Sequence, residues 1–175
     1  MKKIGLCIVA LLLSSISISE ETIKGAFGIE LGSSFDPTSA IGTGSLTDGT
    51  PMYKFTPSKS FRSFSDYYVL ITPQTNKVYA IWGIGDSEND PSCKKEQALV
   101  MAILQKKYGK PESDALTSSL YDIKQIDQGN RFVLTKCSGF TDVSLDIRYK
   151  DKELEKLAEQ ERIIIESEKV DSSGL

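Results

Sequence analysis

Near the C-terminus, Val143, Leu145, Ile147 and Tyr149 alternate with Ser144, Asp146 and Arg148. Successive side chains of a strand point to opposite faces, so this pattern buries one face and wets the other. A half-wet strand belongs to an antiparallel sheet, and the rest of the chain must supply its partners. Residues 66–72 (DYYVLIT) and 77–84 (KVYAIWGI) are rich in β-branched and aromatic residues. Pro73-Gln74-Thr75-Asn76 separates them, which predicts a hairpin. Both its strands carry apolar residues on both faces, which places them near the sheet centre. Arg131–Ser138 reads as another strand, with Val133, Thr135 and Cys137 on one side. A turn at 127–130 precedes it, and a weaker strand over 119–126 precedes the turn. Tyr53–Thr56 and residues 24–32, where Phe27, Ile29 and Leu31 alternate, complete the expected strands.

Asp90-Pro91 opens a helix, with Asp as N-cap and Pro at the first helical position. Val100, Ile103, Leu104 and Tyr108 make its apolar face, and Cys93 lies one heptad back. Gly109 and Pro111 stop it. Asp151 caps a second helix over about 152–169. Its apolar stripe is Leu154, Leu157, Ala158, Ile164 and Ile165, interrupted by Glu161. The order strands, helix, strands, helix predicts an α+β fold: an antiparallel sheet of about five to six strands with two helices packed on it. Residues 66–108 and 131–169 echo each other as hairpin followed by helix. A tandem ββα duplication would explain the echo, and it requires the two units to superpose. The alternative is that any two hairpin–helix units look alike.

Lys2 and Lys3, the apolar run Ile4–Leu13 and the small residues Ser17 and Ser19 have the three-part layout of a secretory signal over residues 1–19. The apolar segment is shorter than the roughly 20 residues of a membrane span. The expected organisation is a cleaved signal, one domain over 20–170 and a frayed end at 171–175. Losing Lys2 and Lys3 from 21 basic residues leaves 19 against 24 acidic ones, a formal charge of −5. That balance disfavours nucleic acid and anionic membrane surfaces as partners, since both need a clustered basic face. Cys7 leaves with the signal. Cys93 and Cys137 remain, and in an oxidising compartment such a pair becomes a disulfide. Closing this loop stabilises the fold by roughly 3–4 kcal/mol in the chain-entropy description.

The chain has no histidine, which removes the commonest general base near neutral pH and the usual nucleophile–histidine pairs. Gly25, Gly28 and Gly32 do not have phosphate-loop spacing. Asp86, Glu88 and Asp90 alternate as in a calcium loop, but Pro91 and Gln97 occupy the positions of its glycine and closing glutamate. A solvated loop is the better reading, and no cofactor or metal is expected. Residues 33–51 are mostly Ser, Thr, Gly, Pro and Asp and read as a long polar loop of the kind that carries function. Phe61 and Phe64 precede the first strong strand and are the aromatic residues expected to be exposed, hence a candidate binding surface. The remaining aromatics, Tyr67, Tyr68, Tyr79 and Trp82, read as core.

The segments FGIELG (27–32) and LQKKYGKP (104–111) resemble patterns of small exported proteins of Gram-negative bacteria, many of them uncharacterised envelope proteins. The resemblance implies periplasmic residence and an accessory role, and it carries no catalytic residue across. The expected function is therefore that of a periplasmic or secreted, non-catalytic protein that binds another envelope macromolecule. Two other readings stand beside it. One is a carboxylate-dependent hydrolase of envelope glycan or peptide; the other is a structural subunit of a secretion or surface assembly.

Overall fold

The computed structural model describes residues 20–110 and 122–169; the expected signal, the first three residues of the strand expected over 119–126 and the C-terminal end lie outside them. The chain forms a small hairpin, β1 (Gly25–Ala26) and β2 (Ile29–Glu30), then β3 (Gly42–Ser45), β4 (Pro51–Lys54), β5 (Asp66–Ile71) and β6 (Val78–Ser87). Helix α1 (Asp90–Tyr108), β7 (Lys124–Gln128), β8 (Arg131–Ser138), β9 (Val143–Asp151) and helix α2 (Lys152–Lys169) follow. Strands β3 to β9 make one antiparallel sheet in the order β3-β4-β5-β6-β9-β8-β7. The fold is α+β, as the sequence predicts, with a larger sheet. The hairpin β5–β6 is as expected, and β6 occupies the sheet centre.

The additional strand is β3, drawn from the stretch expected to be a loop. Residues 33–51 hold a 3-10 turn at Pro37–Ser39 and then Gly42–Ser45, paired with β4 at the sheet edge. Gly-Thr-Gly-Ser has little strand propensity, so the pairing with β4 decides its conformation. Residues 24–32 differ in the other direction. They bend at Phe27 and Gly28, where β1 pairs with β2, and meet the β6 backbone only at their end, where the Gly32 N–H donates to the Val78 carbonyl at 2.8 Å. Phe27 adopts a left-handed φ of 58°, uncommon for a large side chain. Its ring is set edge-on against Tyr67, Phe64 and Tyr149, with centroids 4.7, 5.9 and 6.2 Å away.

The two helices lie on opposite faces of the sheet. Cys93, Val100, Met101, Leu104 and Tyr108 of α1 pack with Val69, Ile81, Val133 and Ile147 in the main core. Ala158 and Leu154 of α2 pack on the other face against Leu70, Tyr79, Ala80 and Trp82. This arrangement removes the tandem duplication. A two-fold axis relating the antiparallel neighbours β6 and β9 is perpendicular to the sheet and would leave both helices on one face. The face of β9 expected to be wet is partly covered too. Arg148 lies over the Trp82 ring at 4.0 Å and pairs with Asp146 at 2.8 Å, leaving Asp146 only 6% exposed.

Asn89, not Asp90, caps α1, its side chain accepting from the Ser92 N–H at 2.9 Å. Asp90 is inside the first turn and pairs with Lys94 at 2.8 Å. Asp151 caps α2 through the N–H groups of Glu153 and Leu154, both at 3.1 Å. Glu161 does not simply interrupt the stripe. It is buried and accepts from the Gln74 and Thr75 N–H groups and the Thr75 hydroxyl, clamping α2 to the β5–β6 turn. Beyond it Ile163 and Ile164 are exposed, whereas Ile165 is half-buried. Cys93 and Cys137 are bonded, with Cα atoms 6.0 Å apart, joining α1 to β8.

Candidate functional site: a groove along α1

Three hollows follow one edge of α1. The first, of about 390 Å³, lies between Glu88–Asp90 and the β8–β9 turn, where Gly139, Phe140 and Thr141 line it. Phe140 is fully exposed at that tip. The second, of about 350 Å³, has Asp86, Glu88, Ser92 and Glu96 on one side and Arg62 and Ser63 on the other. The third is apolar and small, about 80 Å³. Phe27, Ile147 and Tyr149 floor it, and Phe61 and Phe64 face Val100, Ile103 and Leu104 of α1 across it. From Asp90 to Ile103, at 1.5 Å per residue, the groove runs for about 20 Å.

The turn at 61–64 forms the second wall of two hollows, and local chemistry fixes it. The Phe64 N–H donates to the Phe61 carbonyl at 3.0 Å. The Tyr67 hydroxyl accepts from the Phe61 N–H at 3.0 Å and lies within donating distance of the Phe61 and Phe64 carbonyls. Beneath the turn, β6 carries Gly83 and Gly85, whose cross-strand partners are Ile147 and Leu145. A Cβ on Gly85 would come within 1.8 Å of the Ser63 carbonyl oxygen. The glycines thus leave a trough in the sheet that Ser63 and Phe64 fill, a use of strand glycine that permits close backbone approach. The Ser63 hydroxyl donates to the Glu96 carboxylate, and the Arg62 Nε lies 3.9 Å from the same oxygen. This contact bridges the groove between the acidic and apolar hollows.

Phe61 and Phe64 are therefore brought together, with centroids 5.9 Å apart, but not as a protruding pair. Phe64 is buried, and Phe61 is half-buried at the mouth. The reason is the apolar floor under them, invisible in a local reading of residues 60–65. No residue of 33–51 lines any of the three hollows; Ser33 and Phe35 bond the backbone of Val78 and Asn76, and Gly42–Ser45 lies at the sheet edge. Ile103, expected on the buried face, is 51% exposed, and Leu99 is 45% exposed one turn earlier. Both sit in Ala98–Leu104, which is apolar all round. A helix covered on one side only does not need that composition. That run and the glycine pair in β6 are the sequence signals that mark this groove.

Of the groove's middle carboxylates, Glu96 is engaged by Ser63 and Arg62, whereas Asp86 and Glu88 have no ion-pair partner among the described residues. Among the described residues no group of three or more Cys, Asp or Glu side chains is arranged to hold a metal ion. Comparison with protein-family models, curated proteins and solved structures finds no match to this chain.

Proposed function

We propose that this chain is an exported, non-catalytic binding protein that recognises another macromolecule of the cell envelope through the α1 groove. One observation carries the reading: an apolar hollow, open at the surface between Phe61 and Ile103, beside a polar hollow on the same helix edge. Interfaces derive most of their affinity from such an anchor pocket ringed by polar groups. Export to the periplasm or beyond is supported by the signal-like residues 1–19 and by the Cys93–Cys137 bond. Among the described residues no helix is long and apolar enough to cross a membrane.

The test is capture from an envelope extract with the disulfide-intact protein and its Ile103→Glu variant. Ile103 is half exposed, so the variant should keep the wild-type melting temperature. Loss of a specifically captured component with Ile103→Glu is the expected result. An identical captured set with both proteins would end the proposal. A hydrolase reading has one observation in its favour, the three carboxylates Asp86, Glu88 and Glu96 lining one hollow. It requires release of soluble fragments from purified peptidoglycan or envelope peptide, abolished by Glu96→Gln.

A further inference from the structure

Taking the groove as a protein-binding site, we infer that its occupant is an extended segment of a partner protein, carrying one cationic and one aliphatic side chain about three residues apart. The class of each side chain follows from the hollow that would hold it. The apolar hollow, at about 80 Å³, is far below the roughly 300–1,000 Å³ of small-molecule sites. It admits the end of a leucine or methionine side chain and little more. The acidic hollow sets Asp86, Glu88 and Glu96 against Arg62 alone. Asp86 and Glu88 are exposed and unpaired among the described residues, so a guanidinium or ammonium entering there gains charge-assisted hydrogen bonds. An anionic segment or an anionic lipid surface is repelled at the same place.

The spacing comes from the helix. Glu96 and Ile103 are seven residues apart on α1, about 10 Å at 1.5 Å per residue. Three residues of chain in the extended polyproline-II conformation, at about 3.1 Å each, span about 9 Å and bring side chains three apart to the same side. The whole groove, about 20 Å long, takes about six extended residues. An extended chain suits it better than a helix, because the Ser63–Glu96 contact crosses the groove between the hollows. A single polyproline-II backbone passes over that bridge; a helix about 10 Å wide would be held out of both hollows. Phe140, fully exposed at the entrance, is placed to pack on the segment as it leaves.

The experiment is selection of a randomised octapeptide library, displayed on phage, against the full disulfide-intact protein. Enriched peptides are then synthesised and titrated by fluorescence anisotropy. The expected result is enrichment of Arg or Lys three residues from Leu, Met or Ile. Affinity should fall at least tenfold with the Asp86→Lys/Glu88→Lys protein and with Ile103→Glu. Enriched peptides lacking a basic residue, or binding indifferent to these substitutions, would overturn the inference. So would failure to enrich any peptide while envelope capture remains sensitive to Ile103→Glu, an outcome that leaves the binding reading standing. Envelope capture indifferent to Ile103→Glu sinks that reading instead. Sedimentation showing an Ile103-dependent dimer would assign the groove to a second copy and overturn the inference as well.

Discussion

The Ser63 carbonyl oxygen rests against β6 at Gly85, so close that a Cβ there would lie 1.8 Å from it. Three other contacts of the 61–64 turn depend on that seat: the Tyr67 hydroxyl, the Phe64 ring in the core, and the Ser63–Glu96 bridge. The opposing atom is backbone, so it cannot swing aside as a side chain would. Gly85→Ala should lower stability by about 1–3 kcal/mol, the range of an overpacked core. It should also move the backbone resonances of residues 61–64. Urea unfolding and an amide NMR spectrum check both, and wild-type values in the two would show that the turn is not seated on β6.

Glu161 should matter far more than a helix-surface carboxylate. It is 4% exposed and accepts the Gln74 N–H at 2.6 Å and the Thr75 hydroxyl at 2.8 Å. Glu161→Ala strands those donors, at a cost of about 1–3 kcal/mol. Glu161→Gln keeps an acceptor and should recover part of it. Equal unfolding midpoints for Glu161→Ala and wild type would contradict the clamp.

The bond between Cys93 and Cys137 closes a separation of 44 residues. Cys93→Ala/Cys137→Ala should lose roughly 3–4 kcal/mol in the chain-entropy description, and reductant should have little further effect on it. The same urea midpoint for oxidised wild type and the double variant would refute this contribution.

Alkaline pH should unfold the protein earlier than its acidic groups suggest. Burial holds the Tyr149 phenol well above its ordinary value of 10.0, and its neighbour Tyr108 adds to the shift. Tyr79 is raised as well, chiefly by burial. Below pH 10 these phenols are protonated in both states and their contribution is complete. Above it the unfolded chain ionises while the folded one resists, so stability falls as pH rises. Melting temperature should drop as pH rises above 10, and Tyr149→Phe should flatten the drop. An unchanged pH profile for Tyr149→Phe would remove Tyr149 as its cause.

The elements with strong local signals were legible before the tertiary structure. The alternation of Val143 to Tyr149, the apolar runs flanking Pro73–Asn76, and Asp151 before α2 each act within a few residues. β3 was not legible, because Gly42–Ser45 becomes a strand only where β4 offers a ladder. The left-handed bend at Phe27 was hidden for a related reason: its alternation with Ile29 and Leu31 imitates a strand, while its ring is drawn into the core. The burial of Phe61 and Phe64 was not legible in the local sequence, since the floor beneath them comes from β9 and the first hairpin. The α1 wall of the groove was not legible either, because Ile103 lies on the apolar side of its helix and only the packed sheet shows which residues that side leaves open.

By itself the sequence determined the α+β class, both helices and the central hairpin, because periodicity, capping and turn chemistry are local. The tertiary structure alone decided which sheet face each helix covers. It also decided that Gly85 lies beneath Ser63 and that Glu96 meets the 61–64 turn. Those relations join residues 22 and 33 positions apart, and no local preference encodes them; they are fixed when the sheet closes and the core is packed.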